Sequence, residues 1–98
     1  MARIKATQEF TEWLNGLKDQ TGRARIQARI ERLAGGNPGS HRNLKRGVSE
    51  LKIDVGPGYR VYYTHRLDVL IILLCGGDKS TQRADIKLAY DLVEEVEL

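Results

Sequence analysis

Glu50-Leu51-Lys52-Ile53-Asp54-Val55-Gly56-Pro57-Gly58-Tyr59-Arg60-Val61-Tyr62-Tyr63-Thr64-His65 is the stretch that decides the fold. Leu51, Ile53 and Val55 alternate with Glu50, Lys52 and Asp54, which predicts a strand with one apolar and one charged face. Gly56-Pro57-Gly58 signals a turn. Tyr59 to His65 then continues as a second strand, with Val61 and Tyr63 opposed to Arg60, Tyr62 and Thr64. Arg66-Leu67-Asp68 reverses the chain into Val69-Leu70-Ile71-Ile72-Leu73-Leu74-Cys75, apolar on both faces and therefore a central, covered strand. Gly76-Gly77 is expected to stop it, which leaves an antiparallel meander of three strands with its charged face open.

Outward from the meander, the period changes from two to 3.6. Upstream, Arg3 to Ala6 alternates as a short first strand and leads into Thr7 as a helix N-cap. Phe10, Trp13, Leu14 and Leu17 follow helical spacing and predict an amphipathic helix with an aromatic core face. Gly16 and Gly22 bracket a break before a second helix, whose stripe is Ile26, Ile30 and Leu33, with Arg25, Arg29 and Arg32 on its flank. Gly35-Gly36-Asn37-Pro38-Gly39 ends it. Downstream, Ser80 or Thr81 caps a last helix that buries Ile86, Ala89, Tyr90, Val93 and Val96. The order is β-α-α-β-β-β-α: an α+β fold with a helical hairpin packed on a small, mainly antiparallel sheet.

Residues 1–98 read as a single domain, since a second would need a core of its own. With 41% hydrophobic and 30% charged residues the chain is globular, and at this size any active site is expected to be a shallow groove. The one cysteine, Cys75, lies in an apolar run, and with two histidines it is too little for a tetrahedral zinc site. No metal and no small-molecule cofactor are expected. The opening residues lack a signal-peptide core, and no apolar run reaches bilayer length, so the expected setting is the cytoplasm, away from membranes. The formal charge of +3 is modest, but its distribution is not. Lys18 to Arg60 holds ten basic and four acidic residues, whereas Asp85 to Leu98 holds five acidic and one basic. Such asymmetry fits a surface that meets a polyanion while the last helix stays off it.

The element order, together with Val48-Ser49-Glu50-Leu51-Lys52-Ile53-Asp54, Gly58-Tyr59-Arg60-Val61-Tyr62-Tyr63, Leu74-Cys75-Gly76-Gly77-Asp78-Lys79-Ser80 and Asp85-Ile86-Lys87-Leu88-Ala89, resembles the RelE/ParE superfamily of bacterial toxins. The nearest branch is the HigB-like group of addiction-module killer proteins. The resemblance covers nearly the whole chain. It implies a toxin of a type II toxin-antitoxin module, held in check by a cognate antitoxin, with the ribosome and messenger RNA as its targets. The implied activity is metal-independent, ribosome-dependent cleavage of messenger RNA. ParE relatives on the same fold poison DNA gyrase instead, and a catalytically inactive chain that only binds its antitoxin is a third alternative.

Metal-free RNA cleavage lets the ribose 2′-OH attack the neighbouring phosphate, which requires a base, charge on the phosphate and an acid for the leaving oxygen. Arg60 is the first candidate, since a planar guanidinium grips a phosphorane at two points, and the matching position serves this role in RelE-like toxins. The competing reading pairs it with Asp54 or Glu50 across the hairpin. Lys52 is the plausible lysine of its strand, where RelE carries several, and Glu50 or Asp54 is a candidate base. Lys79 lies where relatives place a basic residue near the scissile phosphate. Gly76-Gly77-Asp78-Lys79-Ser80 lacks the spacing of a phosphate-binding P-loop. Tyr90, Trp13 and Phe10 read as core, His65 as a strand-end residue and His41 as solvated. Arg42, Lys45 and Arg46, in a cationic segment expected to be mobile, and Arg25, Arg29 and Arg32 are the candidates for holding ribosomal RNA backbone.

Overall fold

The alternating stretch forms the middle of a five-stranded sheet in the computed structural model, which describes residues 2–96. Glu97, part of the acidic tail, lies outside the described residues. The strands are β1 (Arg3–Ala6), β2 (His41–Asn43), β3 (Val48–Ile53), β4 (Tyr59–Arg66) and β5 (Leu70–Asp78), in the order β1-β5-β4-β3-β2. As expected, β3, β4 and β5 form an antiparallel meander; β1 runs parallel to β5 at one edge. The helices are α1 (Gln8–Gly16), α2 (Gln20–Ala34) and α3 (Gln82–Glu95). β2 is one strand more than expected. It has three residues, all exposed, with no apolar alternation to reveal it, and it is held by pairing along β3.

Both faces of the sheet are covered. Phe10, Ile26, Ile30 and Leu33 of α1 and α2 pack on Leu51, Ile53, Tyr59, Val61, Tyr63, Ile71 and Leu73. On the opposite face Ala89, Leu92 and Val93 of α3 pack on Val48, Tyr62, Ile72, Leu74 and Cys75. Alternation thus sends Val61 and Tyr63 to the α1/α2 side and Tyr62 and Thr64 to the α3 side. The expected open, charged face does not exist: α3 lies across it. Burial, with the charge of Asp85, pushes the Cys75 thiol up to about 12, so it behaves as a small hydrophobe. Among the described residues no helix is long and apolar enough to cross a membrane.

The glycines correct two boundaries. Gly76-Gly77 does not stop β5, which runs on to Asp78. A bulge shifts the register from Tyr63 opposite Leu73 to Tyr62 opposite Cys75, so Leu74 is the extra residue. Beyond it, Gly76 lies under α1, where a Cβ would stand 2.3 Å from the Trp13 ring. Gly77 lies under α3, where a Cβ would stand 1.8 Å from Asp85 Oδ2. Both are strand residues whose missing side chains admit a helix. Gly22 does not break the helices apart either; it is buried in the first turn of α2, where its N–H donates to the capping Asp19 carboxylate at 3.0 Å. Thr7 caps α1 as expected, accepting from the Phe10 N–H at 3.0 Å.

Candidate functional site

Two rungs of the β3–β4 ladder, on one face of the sheet with the Leu51–Val61 rung between them, carry the charged residues: Glu50 opposite Tyr62, and Lys52 opposite Arg60. The Glu50 side chain is fully buried. Its carboxylate accepts from Arg42 Nε at 2.8 Å, from Tyr62 Oη at 3.0 Å and from Gln82 Nε2 at 2.9 Å. Burial alone would push this carboxyl up, but the three hydrogen bonds and the charge of Arg42 hold it below its ordinary value. Glu50 is therefore an ionised anchor joining β2, β3, β4 and α3. This corrects its reading as a base, since no ligand reaches a carboxylate without exposed surface. Asp54 lies exposed beyond the end of β3, and its charge is felt by Arg29 of α2, away from the α3 face.

Two rungs further, on the same face, the arrangement inverts. Arg60 is 92% buried, and its Nη1 donates to the carbonyls of Gly58 at 3.0 Å and Tyr59 at 3.3 Å. Its Nε has no partner. No carboxylate among the described residues lies within ion-pair distance, so the expected alternative of a pairing with Glu50 or Asp54 is not what forms. Lys52, partly exposed, stands directly across the ladder. Lys79 opens a 3-10 turn (Lys79–Thr81) between β5 and α3. Gly58, at a φ of 80° that favours glycine, brings the pieces together: a Cβ there would lie 3.3 Å from Arg60 Nη1 and 3.7 Å from Lys79 Cβ. The structure thus gathers Lys52, Arg60 and Lys79 at the margin of the sheet where α3 begins. A buried guanidinium without a counter-charge carries an uncompensated desolvation cost, which an oxyanion meeting the edge that Arg60 still exposes relieves.

The acids at this margin differ from those expected. Asp78 caps the 3-10 turn, accepting from the Ser80 N–H at 2.8 Å and Ser80 Oγ at 2.5 Å, and these bonds hold its carboxyl below the ordinary value. Asp85, missed by sequence reasoning, accepts from Thr81 Oγ1 at 2.5 Å. Burial and the charge of Asp78 push its carboxyl up, against the pull of Thr81. The available signal was the Thr81/Asp85 spacing of one helical turn beside a Gly-Gly pair. The site is a margin rather than a cavity. A hollow of about 260 Å³, lined by residues including Leu33, Gly36, His65, Val69 and Ile71, lies toward the other end of β4 and β5.

The proposed docking cations divide into two sets. Arg29 is turned inward, donating to the carbonyls of Lys52 at 2.6 Å, Pro38 at 2.9 Å and Ser40 at 3.0 Å, so it fixes the loop after α2. Arg42 is committed to Glu50, and Arg46 pairs with Glu94 while lying 5.9 Å from the centre of the Tyr90 ring. The segment expected to be mobile is strand β2 and a turn tied to α3, with the Lys45 N–H donating to Tyr90 Oη at 3.3 Å. Arg25, Arg32 and Lys45 are exposed, with no side-chain hydrogen bond among the described residues. Tyr90 packs with the α3-side core, as expected.

Residues 12–94 match the family model described as "Phage derived protein Gp49-like (DUF891)". A Haemophilus influenzae protein described as "Uncharacterized protein" is 51% identical over 96 residues, covering 98% of this chain and 97% of its own.

Proposed function

The chain belongs to the phage-derived Gp49-like family, a toxin-like family of the RelE kind, and from that membership we propose that it is the toxin of a type II toxin-antitoxin module that cleaves messenger RNA on the ribosome. The observation that carries the reading is the buried Arg60 guanidinium, unmatched by any acid among the described residues and flanked by Lys52 and Lys79. Arg60 stabilises the charge that develops as the ribose 2′-OH attacks phosphorus, and Lys52 and Lys79 hold the phosphate oxygens. A shallow margin grips RNA weakly by itself, which favours a substrate presented by a larger surface. Arg25, Arg32 and Lys45 supply sequence-independent contacts to ribosomal RNA backbone. The placement in the HigB-like branch, the cytoplasmic setting and an antitoxin that covers this margin belong to the same proposal.

Inducing the chain without its partner, with pulse labelling of protein and DNA synthesis over the first minutes, tests it. A prompt fall in protein synthesis, lost in the triple variant Lys52→Ala, Arg60→Ala, Lys79→Ala, is the expected outcome. A prompt fall in DNA synthesis with intact messages points instead to gyrase, and no effect on either points to an inactive binding module.

A further inference from the structure

A phosphate held by Arg60 needs a proton acceptor beside it, and four carboxylates stand close enough in the fold to be weighed. Glu50 is fully buried, Asp54 lies beyond β3 and is sensed by Arg29, and Asp78 is occupied by the N–H and hydroxyl of Ser80. Asp85 remains. It is half-buried, its carboxylate takes one hydrogen bond, from Thr81, and no cation among the described residues pairs with it.

Its position is built into the sheet. Gly77, the strand residue beneath the Asp85 carboxylate, is the direct ladder partner of Arg60. Paired residues of an antiparallel ladder stand about 4.5–5.5 Å apart at Cα. The backbone of Gly77 does not lie in the left-handed region, so its missing side chain answers to space rather than conformation. A Cβ there would meet Asp85 Oδ2 at 1.8 Å and Thr81 Oγ1 at 2.9 Å. The glycine thus admits the carboxylate and leaves the floor between it and Arg60 bare. An anion-seeking cation on β4 and an unpaired carboxylate on α3, set over neighbouring strands, are the two halves of a phosphate-transfer site.

We propose that Asp85 is the general base of this site, taking the proton of the attacking 2′ hydroxyl; the inference rests on the nuclease reading above. The 2′ oxygen bonds to phosphorus as its proton passes to the Asp85 carboxylate. The bond from phosphorus to the 5′ oxygen breaks, and that oxygen takes a proton from water. The hydroxide so formed recovers the proton held by Asp85, leaving a 2′,3′-cyclic phosphate and a 5′ hydroxyl with no change of oxidation state. Asp78 on β5 acts on Asp85, and Cys75 on β5 and Tyr62 on β4 feel its charge; Arg60 is the ladder partner of the Gly77 beneath it, and Lys79 opens the 3-10 turn that leads into its helix.

The test is single-turnover cleavage of a message on stalled ribosomes across a pH series, using the full chain released from its partner. Asp85→Asn is expected to lower the rate by a factor on the order of 10² or more and to remove the acidic limb of the profile. Thr81→Val, which removes the bond that pulls the Asp85 carboxyl down, is expected to move that limb to higher pH while cleavage persists. The second variant decides the matter should Asp85→Asn fail to fold. Cleavage by Asp85→Asn within about threefold of the parent, with its acidic limb intact, or a Thr81→Val profile that does not move, overturns the assignment and leaves the nuclease reading standing. A parent chain that leaves ribosome-bound messages uncut overturns both.

Discussion

The Glu50–Tyr62 rung and the Lys52–Arg60 rung follow one another on the same face of one ladder, and the fold treats them in opposite ways. On the first, a fully buried carboxylate receives three donors from β2, β4 and α3. On the second, two cations face each other and the more buried one has an unpaired Nε. The difference follows from where α3 starts. Its first residue, Gln82, lands on Glu50, so the helix completes that rung and leaves the next at the margin. Charge burial is finished where it serves the fold and left unfinished where the surface is reached. The missing counter-charge at Arg60 is what supports the proposed anion-binding role, because stability alone is better served by a pair or by an apolar residue.

Removing each side chain in turn gives the sharpest contrast. Glu50→Ala leaves Tyr62 and Gln82 without their acceptor and Arg42 without its counter-ion, and is expected to cost about 3 kcal/mol in urea unfolding. Arg60→Ala removes a charge that has no carboxylate partner among the described residues and is expected to change stability by less than about 1 kcal/mol while lowering cleavage by a factor on the order of 10². Equal losses of stability at the two rungs would break the comparison.

The two strand glycines extend the contrast to β5. Gly76→Ala drives a methyl into the Trp13 ring, and Gly77→Ala drives one into the Asp85 carboxylate. Overpacking costs roughly 1–3 kcal/mol, with Gly76→Ala at the upper end because a packed indole yields less than a short side chain. Thermal unfolding reads this difference, and cleavage is expected to fall only for Gly77→Ala.

Acid titration separates the carboxyls in sign. Glu50 lies below its ordinary value in the fold, so its stabilisation is full above the unfolded value and is lost as pH falls through the lower folded one. Asp85 lies above its ordinary value, so folding weakens as pH rises from the unfolded value through the raised one. Urea midpoints across an acidic pH series are therefore expected to flatten in Glu50→Gln and to steepen in Asp85→Asn. The smallest effect belongs to Arg46 and Glu94, an exposed pair for which Glu94→Ala is expected to cost less than about 1 kcal/mol, and less still in high salt.

The meander and the three helices were legible because period-two and period-3.6 patterns report burial directly. β2 was not, since His41, Arg42 and Asn43 carry no apolar residue and are held by the partner strand alone. The Lys52, Arg60 and Lys79 cluster was legible from alternation and from the resemblance. The state of Glu50 was not: a Glu that alternates with Leu51 and Ile53 alongside Lys52 and Asp54 reads as a solvent face until Arg42, Tyr62 and Gln82, up to 32 residues away, converge on it. Asp85 was hidden for the same reason, because its setting depends on Gly77, which read as a strand terminator rather than as the floor beneath a helix.

Mapping the 5′ ends of a single message in a reconstituted translation system, with the parent chain and with Arg60→Ala, tests the role of the open rung most directly. The expected result is new ends within the codon held at the decoding site for the parent chain alone, and none when ribosomes are omitted. Equal cutting by Arg60→Ala, or an uncut message while translation stops, contradicts it.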